Sequence, residues 1–404
     1  MTLNRTVHEG EISIVNLVES EKSATPTRVV VLYGGQSPEH AVSCVTAAGV
    51  LGAIDSESFD VIEIGITAAG QWTRPVVDPR TYTFSAQQEP HVVPHESSVV
   101  LHPGPGGSSE RACELVEIHR DGTSTSLGHV DVVLPLLHGP FGEDGTIQGM
   151  LEVAGVPYVG AGVMASAVGM DKHLMKIAFA SAGLTVGPYE VITAKQWTQD
   201  AAGCVRRVKG LELPVFVKPA RGGSSVGITR IDDWSQLSEA LAAAQAHDPK
   251  VIVEAGIAGR EIECGVLDSP DGAPARASLL GEIVVGDGSQ SHQFYDFTAK
   301  YQDDTAADLS CPAELPDEVS AEIRSQAVTA FDAVAAEGIS RVDFFYDASA
   351  STLARSVVVN EINTMPGFTP ISMYPQMWAA TGLNYPELIS ELISLALRRP
   401  TGLR

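Results

Sequence analysis

Two apolar segments near the C-terminus carry polar side chains whose spacing could support chemistry. Residues 357–367 read VVVNEINTMPG, and an earlier apolar segment reads SRVDFFYD. Side chains two positions apart on a strand share a face, so Glu361 and Asn363 point the same way. The same spacing relates Arg341 to Asp343. A hairpin of these segments would bring Asp343 close to Glu361 and place the arginine close to the asparagine.

This pattern offers oxygen ligands without a thiol or an imidazole. Such a donor set suits Mg²⁺ or Mn²⁺, which usually share carboxylates with substrate phosphates. Arg341 would lie beside the cations and could hold an oxyanion through paired hydrogen bonds. The pattern predicts a divalent-metal site with Asp343, Glu361 and Asn363 as ligands. A polar strand end with an ordinary Asp–Arg pair at the surface is the alternative.

A glycine-rich segment at residues 214–230, PVFVKPARGGSSVGITR, has the composition of a phosphate-binding loop. Its glycines free backbone N–H groups to surround phosphate oxygens. The hydroxyls of Ser224 and Ser225 add donors, and Lys218 adds positive charge at the base of the loop. The segment is not a Walker loop, because the chain has no Gly-Lys dipeptide. A flexible hairpin tip is the alternative.

Lysines in apolar or aromatic surroundings are a further indication of anion binding. Lys172 lies in GMDKHLMK, Lys218 in FVKP and Lys300 in TAKY. Such a lysine either extends its ammonium group to solvent or neutralises a bound anion, and these contexts favour the anion.

Two other segments have less specific patterns. HGPFGEDGTIQG places His138 after a buried strand, where α/β folds bind ligands, although a solvated turn with a lone histidine would look the same. GAGVMA at residues 160–165 matches a dinucleotide-binding fingerprint. The acidic residue expected about 20 positions later is missing, so NAD binding is disfavoured.

The elements that must position these residues follow from hydrophobic periodicity. Strands at 28–33, 61–66 and 130–139 alternate with helical segments, which predicts a parallel α/β layer. A helix is predicted at 166–183. The remaining predicted strands are 213–219, 251–257, 341–346 and 355–363, and the remaining helices are 235–246, 317–336 and 386–398.

The chain is too long for a single core, and we divide it into three domains after a short extension. Residues 1–26 are interpreted as a disordered extension without signal-peptide features. An N-terminal α/β domain spans 27–165, with 84–127 as a surface insertion. A central domain spans 166–258, and a C-terminal domain spans 259–404.

Composition excludes several classes of function. The 404 residues carry a formal net charge of −24, which argues against a nucleic-acid partner. No apolar run reaches the roughly 18 residues of a membrane span. The cysteines are scattered without metal-like spacing, which fits a reducing cytoplasm.

Taken together, the motifs resemble one family. In chain order they are GGQSPEHAVS, LLHGPFGEDGTIQG, MDKHLMK, KPARGGSSVG, FYDFTAKY, RVDF and NEINTMPGFT. This order is similar to that of D-alanine–D-alanine ligases of the ATP-grasp superfamily, over roughly residues 28–400. The resemblance implies a three-domain α/β and α+β fold that holds ATP between its central and C-terminal domains. It also implies D-alanine as substrate, peptidoglycan precursor synthesis, a homodimer and a cytoplasmic location.

The resemblance further implies roles for residues at matching positions. Those around the nucleotide are Lys172, Lys218, Ser225, Glu254, Glu261 and Lys300. The catalytic positions are Glu39, Ser224, Tyr301, Arg341 and Gly367, and the substrate-binding positions are His138, Lys300, Ser372 and Met373. The metal ligands Asp343, Glu361 and Asn363 would hold two Mg²⁺ or Mn²⁺ ions, in agreement with the hairpin.

Within this set, Glu39 would receive the ammonium group of the first D-alanine. Ser224 and Tyr301 would link that glutamate to a closing loop at 286–310. The tyrosine also favours an amine over D-lactate as the second substrate. The alternatives are another ATP-grasp carboxylate–amine ligase, including a D-alanine–D-lactate ligase, and a nucleotide-binding scaffold without chemistry.

Overall fold

The computed structural model describes residues 26–84, 89–103, 113–223, 226–285 and 307–399. The strands are β1 Thr27–Gly34, β2 Phe59–Ile66, β3 Trp72–Thr73, β4 Ser98–Pro103, β5 Cys113–Ile118, β6 Ser124–His129, β7 Val132–Pro135, β8 Tyr189–Thr193, β9 Val215–Pro219, β10 Thr229–Ile231, β11 Lys250–Ala255, β12 Arg260–Leu267, β13 Arg276–Val285, β14 Ala307–Ser310, β15 Ile339–Tyr346 and β16 Val357–Asn363. The helices are α1 His40–Ala53, α2 Thr146–Ala154, α3 Val163–Met170, α4 Lys172–Ser181, α5 Ala194–Val208, α6 Leu237–His247, α7 Asp317–Ala333, α8 Leu353–Ser356, α9 Met373–Thr381 and α10 Tyr385–Arg398. No helix among the residues so described is long and apolar enough to cross a membrane.

The N-terminal sheet has the order β3-β2-β1-β7, and β1 is parallel to both β2 and β7. Val29 and Val31 of β1 pack in one core with α1 and with Leu388 of α10. Val30 and Leu32 face the opposite side and pack in a second core with α2. Burial on both faces explains the uninterrupted apolar run of β1. The predicted parallel α/β layer is confirmed, and the C-terminal helix completes its packing.

The segment 84–127 is more than a surface insertion. It contains β4 and β5, which pair with β6 in a separate antiparallel sheet of order β4-β5-β6. Val99 and Leu115 of this sheet are buried in the same core as Leu32. Strands with one buried face and one polar face alternate in character, and the surrounding Pro, Gly and Ser obscured that pattern.

Two further sheets carry most of the candidate functional residues. The central sheet has the order β10-β9-β11-β8 and packs against α5 and α6. The C-terminal sheet has the order β14-β13-β12-β15-β16, with every pair antiparallel. The helices α4 and α7 cover one face of this second sheet. The ends of both sheets carry the residues whose chemistry the sequence suggested.

The helix predicted at 166–183 is wrong as a single element. The structure has two helices, α3 and α4, separated at Asp171, whose backbone is extended (φ −92°, ψ 100°). The Asp171 carboxylate accepts hydrogen bonds from the backbone N–H groups of His173 and Leu174, at 3.1 and 3.2 Å. An aspartate that caps a helix N-terminus in this way stabilises a new start, and apolar spacing alone does not reveal it.

The position of α4 bears on the predicted domain boundaries at 166 and 259. Met175 and Phe179 of α4 are buried in the core of the C-terminal sheet, not in that of the central sheet. The helix therefore belongs by packing to the C-terminal sheet, although it precedes the central sheet in the chain. The three-domain boundaries themselves remain a prediction.

Candidate active site

The hairpin of β15 and β16 has the register expected from the sequence. Asp343 lies opposite Glu361, and Arg341 lies opposite Asn363. All four side chains line a cavity of about 360 Å³, together with residues of β9, β11 and β12. The cavity therefore lies where the central and C-terminal sheets face each other.

Hydrogen bonds tie the hairpin residues together. Arg341 donates from Nε to Asp343 Oδ1 at 2.7 Å and from Nη2 to Oδ2 at 2.8 Å. Asn363 Nδ2 donates to the same Oδ2 at 2.9 Å. The Arg341 and Asp343 side chains are only 13% and 15% exposed. The Asp–Arg pair of the alternative interpretation exists, but it lines a cavity instead of the outer surface.

A third carboxylate extends this site beyond the residues found from the sequence. Glu263 of β12 lies directly opposite Asp343, and its Oε1 is 3.1 Å from Arg341 Nε. Glu263, Asp343 and Glu361 thus lie side by side on three adjacent strands. Carboxylate and amide oxygens with excess negative charge are the donor set that Mg²⁺ and Mn²⁺ prefer, so the residues present fit such cations.

Lys172 and Lys218, two of the three lysines predicted to bind anions, also reach this cavity. Lys172 Nζ is 3.2 Å from Glu361 Oε2 and donates to the backbone carbonyl of Gly222 at 3.1 Å. Lys218 Nζ is 2.6 Å from Glu254 Oε2. Both ammonium groups therefore point inward, which contradicts extension to solvent. Gly222 and Gly223 of the glycine-rich segment line the same cavity.

Several predicted positions cannot be placed. Ser224, Ser225, Lys300 and Tyr301 lie outside the described residues, as does most of the predicted closing loop. Glu261 lies on β12 and lines the cavity. Gly367, Ser372 and Met373 follow β16 without being part of that lining. Ser372 Oγ accepts from the backbone N–H of Thr369 at 3.1 Å, and Met373 is buried.

Lys176 is a site residue that the sequence analysis missed. Its Nζ is 2.8 Å from Glu254 Oε1 and donates to the carbonyl oxygen of Asn360 at 3.0 Å. The side chain is 3% exposed. Lys176 therefore connects β11 of the central sheet with β16 of the C-terminal sheet. Its position four residues after Lys172, on the same helical face, was the signal available in MDKHLMK.

The two lysines decide the ionisation of Glu254. Burial by itself would raise the pKa of this carboxyl, but the ammonium groups of Lys218 and Lys176 hold its pKa well below the ordinary value. Burial would likewise lower the pKa of Lys218, yet Glu254 and, more weakly, Glu361 and Glu261 raise it. Glu254 and Lys218 are thus both charged at neutral pH.

We expect Lys176→Met to lower the free energy of unfolding by about 1–3 kcal/mol, because a buried carboxylate oxygen loses its donor. The pKa of Glu254 should also rise toward its ordinary value of about 4.3. In the wild type the unfolded chain binds a proton below that pH and the folded chain does not, so stability falls as pH falls. The variant should show a shallower decline between about pH 3 and 5.

Chemical unfolding at a series of pH values measures both effects. Lys195→Met on α5 is a matched control, because Lys195 is exposed. Equal acid slopes for the wild type and Lys176→Met would contradict the role of Lys176 in holding Glu254 ionised.

Glu39 and His138, which the sequence analysis assigned to the first substrate, do not line the cavity but lie next to Gly223 and Glu143, which do. Glu39 is buried immediately before α1. A Cβ atom added to Gly223 would lie 2.8 Å from Glu39 Oε2, so the glycine-rich segment closely approaches this carboxylate. A side chain at Gly139, next to His138, would also collide with the side chains of Glu39 and Ser37. Three segments remote in the chain therefore meet at Glu39.

His138 is not the solvated turn residue of the alternative interpretation. It is buried, its Nδ1 is 3.2 Å from the Met365 carbonyl oxygen, and its Nε2 is 3.3 Å from Thr46 Oγ1. Burial would lower the pKa of His138, but Glu143, 3.7 Å away, outweighs it and raises the pKa. Glu143 lines the cavity, so the histidine contacts the site through this carboxyl group.

Comparisons with known proteins cover most of the chain. A family model described as D-ala D-ala ligase N-terminus matches residues 28–161, and one described as D-ala D-ala ligase C-terminus matches residues 178–394. A D-alanine--D-alanine ligase of Arthrobacter sp. (strain FB24) is 58% identical over 377 residues, which cover 93% of this chain and 96% of that protein.

Solved structures are similar as well. The D-Ala:D-Ser ligase VanG of Enterococcus faecalis superposes with a TM-score of 0.74 at 32% identity, covering 92% of this chain and 100% of that one. The D-alanine-D-alanine ligase of Coxiella burnetii superposes with a TM-score of 0.72 at 31% identity, covering 92% and 94%.

Proposed function

Because the chain belongs to the D-alanine–D-alanine ligase family, we propose that its cavity binds ATP and joins two molecules of D-alanine for peptidoglycan precursor synthesis. The observation that carries this proposal is the meeting of phosphate-binding and metal-binding chemistry in one cavity. Lys172 and Lys218 line it together with Asp343, Glu361 and Asn363, and Lys172 Nζ is 3.2 Å from Glu361 Oε2. A nucleotide's phosphates and their cations would bind among these side chains.

The first step makes the substrate carboxylate reactive, since a free carboxylate does not accept an amine at neutral pH. A carboxylate oxygen attacks the γ-phosphorus of ATP, and the bond between that phosphorus and the oxygen bridging to the β-phosphate breaks. The products are an acyl phosphate and ADP. Lys172 and Lys218 hold the phosphate oxygens and stabilise the charge during transfer. Divalent cations held by Asp343, Glu361 and Asn363 would supply further charge neutralisation.

The second step joins the amine. The neutral amino group of the second D-alanine attacks the carbonyl carbon of the acyl phosphate and forms the C–N bond, and the carbonyl oxygen becomes an oxyanion. When this intermediate collapses, the bond from carbon to the phosphate oxygen breaks, and inorganic phosphate leaves with the proton that the amine loses. Arg341 and the backbone N–H of Gly367 are proposed to donate to this oxyanion, because a donor already in place stabilises it without reorganisation. Glu39 is proposed to bind the ammonium group of the first D-alanine, where three segments converge.

The choice of second substrate is the part of the proposal that needs the sharpest test. The curated relative at 58% identity is a D-alanine--D-alanine ligase, whereas the D-Ala:D-Ser ligase is 32% identical. Higher identity over a similar share of the chain favours D-alanine as acceptor. D-serine and D-lactate are the competing acceptors.

The test measures Mg²⁺-dependent ADP release with D-alanine, L-alanine, D-serine and D-lactate near neutral pH, and identifies products by mass spectrometry. We expect release with D-alanine, none above background with L-alanine, and D-alanyl-D-alanine as the main product. A main product with D-serine or D-lactate in mixtures with D-alanine would overturn the acceptor assignment. Release without any amino acid would favour a nucleotide hydrolase instead.

Further proposals concern organisation and location. We propose that the chain forms three domains, at residues 27–165, 166–258 and 259–404. We also propose that it forms a homodimer, as the resemblance to the family implies. A cytoplasmic location is supported by ATP as substrate and by cysteines that are free thiols, as expected in a reducing compartment.

A further inference from the structure

We propose that Glu263 is a positioning residue, which holds Arg341 when a divalent cation takes the Asp343 carboxylate. The inference rests on the proposed function, because it assumes that Asp343 binds the cation and that Arg341 serves the oxyanion. Neither the family resemblance nor the motif spacing singled out Glu263.

The placement of Glu263 follows from strand register. It lies on β12 directly opposite Asp343 of β15, and Glu361 of β16 lies opposite Asp343 on the other side. Like charges directly opposite one another on neighbouring strands are destabilising. Positively charged side chains can offset the repulsion between these carboxylates. Here Arg341 contacts Glu263 and Asp343, and Lys172 contacts Glu361.

Arg341 is shared between two carboxylates. Its Nε is 2.7 Å from Asp343 Oδ1 and 3.1 Å from Glu263 Oε1. All three side chains are largely buried, with Glu263 the least exposed at 5%. A guanidinium in such surroundings needs a carboxylate partner, because an uncompensated buried charge is strongly unfavourable.

Cation binding disturbs this arrangement. Both Asp343 oxygens accept hydrogen bonds from Arg341, and Oδ2 accepts a second one from Asn363, so a cation bound to that carboxylate would compete with these donors. The cation also repels the guanidinium at short range. Binding of a cation to Asp343 would therefore weaken at least one of its two hydrogen bonds to Arg341.

Glu263 resolves the competition. Glu263 stays in contact with Nε of Arg341. The guanidinium group can then rotate about this contact, which moves its Nη atoms from Asp343 toward the cavity. The same movement frees Asp343 for the cation and brings the donors to where the oxyanion forms. Glu263 thus couples cation binding to the position of Arg341.

The first test compares Glu263→Gln with the wild type. Mn²⁺ binding to the ADP-bound protein, measured by calorimetry, should weaken about 10-fold, as for other groups that orient metal ligands, and kcat should fall. Glu263→Asp keeps the charge and should recover most of the affinity. Glu282→Gln is the matched control: Glu282 lies in the same sheet with its own arginine, Arg260, at 2.6 Å, and is not among the cavity-lining residues.

The second test asks whether Glu263 acts through Arg341. In an Arg341→Met background, adding Glu263→Gln should change Mn²⁺ affinity by less than about twofold, because coupled residues are not additive. An effect of full size in that background would overturn the proposal and make Glu263 a direct partner of the cation. Unchanged Mn²⁺ affinity and kcat in Glu263→Gln, with Asp343→Asn impaired, would also overturn it.

Failure of the proposed function gives a different result. If Asp343→Asn binds Mn²⁺ as the wild type does, the metal site itself is misplaced, whatever Glu263 does. Thermal melts of each variant identify any loss of folding, and Glu263→Asp keeps the test decisive if the glutamine variant unfolds.

Discussion

Asp343→Asn is expected to lower kcat by about 10³-fold, equivalent to roughly 4 kcal/mol of transition-state stabilisation. Asparagine preserves the shape of the side chain but removes the negative charge that a divalent cation requires. It also removes one of the two acceptor atoms that Arg341 now uses. Mn²⁺ affinity should fall with kcat, because both depend on the same carboxylate.

Steady-state kinetics and Mn²⁺ calorimetry on the ADP-bound protein check this prediction. Asp332→Asn is a suitable control, since Asp332 is an exposed residue of α7. A variant at position 343 that keeps wild-type kcat would show that the hairpin carboxylates do not serve the reaction.

Arg341→Met is expected to lower kcat by about 10²–10³-fold, the usual effect of removing an oxyanion donor. The same substitution should not weaken the binding of the cation. Arg341 holds both Asp343 oxygens, so its removal takes away a competitor and a positive charge. Mn²⁺ affinity should therefore stay equal or rise while kcat falls.

This divergence separates the two hairpin residues experimentally. Arg260→Met is the control, because Arg260 forms a comparable bidentate pair with Glu282 in the same sheet, at 2.6 Å for both contacts. If Arg341→Met lost Mn²⁺ affinity in parallel with kcat, Arg341 would be a structural support of the metal ligands, and its assignment to the oxyanion would fail.

Some of the site follows from local patterns in the chain. The period of two in a strand places Glu361 beside Asn363 and Arg341 beside Asp343. Burial of Val342 and Ile362, which lie between them, leaves few registers for the pairing of the two strands. The same logic identified the parallel N-terminal layer from its uninterrupted apolar runs. The motifs in their order were sufficient to indicate the ligase family.

Other features depend on contacts between segments remote in sequence. The apolar spacing around Asp171 suits one long helix. The capping hydrogen bonds of its carboxylate, together with the bond from the Lys172 backbone N–H to the Ala220 carbonyl oxygen, divide it. The burial of Val99 and Leu115 against β1 is likewise decided by which sheet packs on which. Secondary-structure propensity depends on residues close together in sequence and does not account for such packing. Tertiary contacts can therefore override the structure that propensity favours.

By itself, therefore, the sequence determined the ligase family, the register that places Asp343 beside Glu361, and the inward orientation of Lys172 and Lys218. Tertiary structure alone decided that Glu263 lies opposite Asp343 and that Lys176 joins Glu254 to the Asn360 carbonyl. The physical reason is that residues on one strand or helix turn are related by a fixed period, whereas β12 and β15 are neighbours only through the register of the folded sheet. Charges brought together in that way acquire their partners, and their roles, only on folding.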